Sequence, residues 1–105
     1  MNIESCIKEI KRELIGVTDQ LGVIDSLNLR GSNSYYIHEV REILRNWVIG
    51  EFRVFERKEL INEFNKIGIN HIYAMSSHLL EKAVEELGGW EKVLRLPITV
   101  ESVSV

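Results

Sequence analysis

The first 24 residues carry a regular stripe of aliphatic side chains in steps of four and three: Ile3, Ile7, Ile10, Leu14, Val17, Leu21 and Ile24. This spacing places all of them on one side of a helix, close to a 3.5-residue period. Two interpretations stay open. The stripe is a seam for self-association with a second copy, through Ile3, Ile7, Ile10, Leu14, Val17 and Leu21, or it is an amphipathic helix that packs on its own domain.

Three more helices are expected downstream. After the turn "LRGSNSY", which Gly31 punctuates, a helix is predicted over about 34–48 with an apolar face of Ile37, Val40, Ile43, Leu44, Trp47 and Val48. A second is predicted over about 57–66, ended by Gly68, with Leu60, Ile61, Phe64 and Ile67 inward. A third is predicted over 77–87, capped by Ser76 or Ser77 and ended by Gly88 and Gly89.

Two short stretches alternate in the manner of strands. "GEFRVF", residues 50–55, predicts a short edge strand, and the tail alternates at Leu94, Leu96, Ile98 and Val100. Pro97 cannot donate to a ladder, so it belongs on an edge. Trp90, at the start of this tail, is expected either to close the core or to serve as an exposed interface anchor.

The stretch "FRVFERKELINEFNKIGINHIYAMSSHLLEKAVEELGGWEKVLRL" resembles winged helix-turn-helix domains of bacterial and phage regulatory or replication proteins. The "KEL…F…GI…LL…ELGG" skeleton carries the resemblance, over about residues 34–97. It implies a winged-helix-like three-helix core with a small β element, residues 31–105. Together with the N-terminal amphipathic helix that the apolar stripe predicts, residues 1–30, this gives a mainly α fold in one compact unit. The resemblance also implies that helix 77–87 reads DNA, with contacts from Tyr73, Ser76, Ser77, His78 and Lys82, and from Lys92 and Arg95 on the wing.

Charge argues against a dedicated nucleic-acid binder. The chain of 105 residues has a net charge of −3, whereas such binders are usually basic because phosphate neutralisation supplies their affinity. The proposed reading helix also carries Glu81, Glu85 and Glu86. A DNA-binding function would be supported by a cationic patch formed in three dimensions by Arg53, Arg57, Lys58, Lys82, Lys92 and Arg95.

Candidate chemistry is sparse. Cys6 is the single cysteine, which excludes an intramolecular disulfide and suits a reducing compartment. His71 and His78 are seven apart and lack the spacing of a metal motif, and there is no glycine-rich phosphate loop. No apolar run approaches the length of a membrane span, and the charged N-terminus does not resemble a signal peptide. We expect a cytoplasmic protein with no enzymatic activity, metal, cofactor or small-molecule substrate.

Two functions fit these observations. The first is a small non-enzymatic protein-interaction module, a regulator or inhibitor of a larger machine that binds a protein partner or forms a homodimer. Its apolar tail, Ile98–Val105, could add a strand to a partner's sheet. The alternative is a DNA-binding transcription regulator or replication accessory protein that reads DNA with helix 77–87.

Overall fold

The computed structural model describes residues 2–20 and 33–94, and this part of the chain is mainly helical, as expected. Its helices are α1 (Ile3–Gln20), α2 (Asn33–Phe52), α3 (Lys58–Lys66), α4 (Ile72–Glu86) and the single turn α5 (Trp90–Val93). A 3₁₀ turn, Val54–Glu56, joins α2 to α3. No strand occurs within these two ranges. None of their helices combines the length and apolar character needed to cross a bilayer.

Helix α4 is the centre of the fold. Both α1 and α2 pack against it, and so do the 3₁₀ turn and α5. Six of its side chains are buried: Met75, Ser76, Leu79, Leu80, Ala83 and Val84. Because they recur every three or four residues, they form one continuous apolar side, and the opposite side is left for the surface.

Helix α1 directs its stripe into the chain's own core. Ile7, Ile10 and Leu14 are buried, together with Cys6, while Ile3 and Val17 are partly buried at the margins. Asn2 starts the helix by accepting the Ser5 backbone N–H at 2.8 Å on its side-chain oxygen. The amphipathic-helix interpretation thus explains this packing. Self-association stays a prediction, and its contact Leu21, like Ile24, lies outside the described residues.

The predicted strand at residues 50–55 is wrong. Helix α2 continues through Phe52, and Arg53 then adopts a left-handed conformation with φ of +48°. This reversal brings both Phe52 and Val54 into the core. Phe52 and Val54, separated by one polar residue, therefore both face the core although they do not lie in a strand. The expected inward face of α2 also needs one correction, because Ile43 is 43% exposed.

Helix α4 begins five residues earlier than expected. Its N-cap is His71 in an extended conformation, with no side-chain capping bond, so neither Ser76 nor Ser77 caps it. The reason lies in the core: Ile72 and Met75 pack inward and extend the apolar period upstream of Ser77. That buried contact stabilises the first turn in place of a capping side chain.

The chain directly after α4 also differs from the prediction, which placed a strand there. Gly88 and Gly89 have φ of +107° and +100°, and the Gly89 N–H bonds to the Val84 carbonyl at 2.8 Å. The chain then forms α5, and Trp90, Val93 and Leu94 are buried. Trp90 thus belongs to the core. The remainder of the expected strand, with Arg95 and the tail, lies outside the described residues.

Candidate interaction surface

Two arginines on α2 fix the register between α2 and α4. Arg41 Nε lies 2.8 Å from the Glu81 carboxylate, and Arg45 Nη1 donates to the Ser77 hydroxyl at 3.1 Å. Arg45 follows Arg41 by four residues on α2, whereas its partner Ser77 precedes Glu81 by four residues on α4. The two helices are therefore antiparallel here. No role for Arg41 and Arg45 was predicted. The feature of the sequence that could have indicated this role is their four-residue spacing beside a buried face.

Arg45 also supports an exposed aromatic ring. Its guanidinium carbon lies 5.7 Å from the centroid of Tyr73, and the same group pairs with Glu42. Tyr73 nevertheless remains 59% exposed. A cation over an exposed ring contributes about 0.5–1 kcal/mol. Tyr73 is therefore held in place on the surface, which lowers the entropy lost when such a side chain binds a partner.

We call four apolar residues at the junction of α3 and α4 the turn surface: Ile67 and Ile69 in the connection, and Ile72 and Tyr73 in the first turn of α4. Ile67 is 58% exposed, although the sequence predicted it inside the core. Gly68, with φ of +85°, reverses the chain after α3, and the Ile69 N–H returns to the Phe64 carbonyl at 3.0 Å. Ile69 consequently packs against the core, while Ile67 faces outward.

The residues expected to contact DNA do not all reach the surface. Tyr73 and Lys82 are exposed on α4, and Ser77 is partly buried under Arg45. His78 is partly buried, with its ring edge-on to Phe64 at a centroid distance of 5.5 Å. Ser76 is fully buried, so the hypothesis that it contacts DNA does not fit the structure.

Of the two expected wing residues, Lys92 belongs to the described part of the chain. Lys92 is exposed on α5, where its side chain passes close to Gly88. Arg95 lies outside the described residues.

Three of the five described cations that would contribute to a DNA-binding patch already have bonding partners. Arg53 Nε donates to the Glu56 carboxylate at 2.9 Å, a hydrogen bond that lowers the pKa of Glu56. Lys82 lies 3.6 Å from Glu85, and Arg57 donates to the Phe52 carbonyl. Because Arg53 and Lys82 are ion-paired, the five described cations do not form one unpaired positive surface.

Glu81 connects three helices, a role that the sequence did not indicate. One carboxylate oxygen pairs with Arg41, and the other accepts the Trp90 indole N–H at 3.1 Å. The Arg41 guanidinium carbon also lies 5.5 Å from the Trp90 ring centroid. This cluster fastens α5 to α2 and α4. The Glu81 carboxylate is thus bonded within this cluster, although the sequence suggested that it would face solvent.

The candidate chemical groups are isolated from one another. Cys6 is fully buried, and desolvation raises the pKa of its thiol to about 11, which keeps it protonated and poorly nucleophilic at neutral pH. His71 is exposed at the start of α4. Across residues 2–20 and 33–94, no three His, Cys, Asp or Glu side chains gather as a metal site would require.

A groove of about 410 Å³ lies beside the start of α1. Asn2, Ser5, Lys8, Lys11 and Glu86 contribute to its walls, and Lys11 pairs with Glu86 at 2.9 Å. Its walls combine charged groups of both signs with the largely buried side chain of Ile7. The groove therefore offers no specific chemistry for a ligand.

Comparison of the chain with protein-family models, curated proteins and solved structures gives no match. Among the described residues, the large apolar side chains that stay exposed are Ile43, Phe55, Ile67 and Tyr73. Two of them, Ile67 and Tyr73, belong to the turn surface, and Arg45 supports the Tyr73 ring.

Proposed function

We propose that the chain is a small non-enzymatic protein-binding module, a regulator or inhibitor of a larger protein, and that it binds through the turn surface. One observation carries the proposal: Ile67, after the end of α3, and Tyr73, in the first turn of α4, are 58% and 59% exposed, and the Tyr73 ring lies against Arg45. Large apolar side chains that stay exposed are candidates for interaction sites. Tyrosine is also enriched among the residues that dominate binding energy.

A winged-helix-like arrangement is part of this proposal. The order of α2, α3 and α4, with a tight connection at Gly68, supports a helix-turn-helix in which α4 takes the position of the reading helix. A wing would have to come from residues after Leu94. In this arrangement the turn surface lies next to the start of the reading helix, where a DNA-binding relative would approach its ligand.

Protein is the favoured ligand over DNA for an electrostatic reason. Exposed Tyr73 and Lys82 on α4 are compatible with DNA reading, but Lys82 is paired with Glu85, and Glu85 and Glu86 are exposed on the same helix. Phosphate contacts require several available cations. An acidic outer side on α4 opposes such contacts, whereas it does not hinder a protein partner.

The test is affinity capture from cells that express the protein, read by quantitative mass spectrometry. The bait variant Ile67→Ser/Tyr73→Ser removes the two exposed apolar side chains. Ile43→Ser is the matched control, since Ile43 is an exposed isoleucine on α2 that does not belong to the turn surface. Circular dichroism should show that all baits fold.

We expect a protein that wild type and Ile43→Ser both retain and that the double variant loses. Equal capture by all three baits would overturn the proposal. So would tight, salt-sensitive binding of mixed-sequence duplex DNA in a fluorescence anisotropy titration, in the absence of any such protein.

A further inference from the structure

We draw no further inference here: the strongest candidate, the half-exposed ring of Phe55 on the 3₁₀ turn Val54–Glu56, is an apolar surface patch, and nothing in the part of the chain that the structure describes shows what covers it.

Discussion

Single side chains in this protein act by joining helices. Arg45 contacts Glu42 on its own helix and both Ser77 and Tyr73 on α4. Glu81 likewise joins Arg41 to Trp90. Such contacts contribute little free energy when they are exposed, but they decide where neighbouring groups point. The energetic weight at the residue scale falls instead on buried apolar side chains.

Trp90 and Arg41 should separate these two contributions. Trp90 is 9% exposed, so we expect Trp90→Ala to lower the free energy of unfolding by about 3–5 kcal/mol, through lost burial and an unfilled cavity. Arg41→Ala removes a pair in which both side chains are more than two-fifths exposed, and we expect about 1 kcal/mol or less. Urea denaturation measures both. Similar costs for the two variants would contradict this division.

Cys6 should make stability depend on alkaline pH. Its pKa rises from the ordinary value of 9.0 to about 11 because folding buries the thiol. Between these values the unfolded thiol has lost its proton while the folded thiol keeps it, so the unfolded state binds fewer protons. Stability is therefore fully present below pH 9.0 and falls as pH rises towards 11.

Urea denaturation at several pH values tests this dependence, with Cys6→Ala as the reference because it lacks the thiol. We expect wild type to lose more stability than Cys6→Ala across the alkaline range. If the stability of the two proteins fell equally with pH, the result would contradict a thiol that folding buries in its protonated form.

At the scale of elements, apolar periodicity predicted the helices well and their ends poorly. The stripe through Leu14 and the face through Leu44 both proved to be buried. Two errors came from chain reversals. Arg53 in a left-handed conformation brings Phe52 and Val54 to one side as a strand would, and the turn at Gly68 leaves Ile67 exposed although it was expected in the core. These outcomes depend on tertiary packing, which short-range patterns do not contain.

The turn surface was only partly predictable for the same reason. Tyr73 was identified as a candidate contact from its place before a predicted helix. Its support by Arg45, however, joins residues 28 positions apart in the chain. No local spacing encodes such a contact. The same holds for the Arg41, Glu81 and Trp90 cluster, which depends on how α2, α4 and α5 pack.

Replacement of two glycines by alanine should change the stability of the protein in opposite directions. Gly16 lies inside α1, and a methyl group there would meet nothing within 4 Å, so Gly16→Ala should stabilise the protein by about 0.5–1 kcal/mol. Gly89 has φ of +100°, which alanine adopts only with strain, so Gly89→Ala should destabilise it by about 1–2 kcal/mol. Thermal unfolding of both variants tests this, and a change of the same sign in both would contradict it.

On the scale of the whole molecule, one chain supplies the partners of its own apolar stripe. Leu14 is fully buried, so Leu14→Ala should lower the free energy of unfolding by about 2–5 kcal/mol. If the stripe serves the monomer alone, the unfolding midpoint should not depend on protein concentration. A midpoint that rises with concentration, together with a dimer in light scattering, would instead support a seam between two copies.

The most direct measurement is photo-crosslinking from the turn surface in cells that express the protein. A benzophenone amino acid replaces Ala74, which is exposed next to Tyr73, and a second sample carries it in place of Ile43. We expect a discrete protein adduct from position 74 that is absent from position 43 and is lost when Ile67→Ser is added. Crosslinks to nucleic acid alone, or the same adduct from both positions, would contradict a protein-binding role for the turn surface.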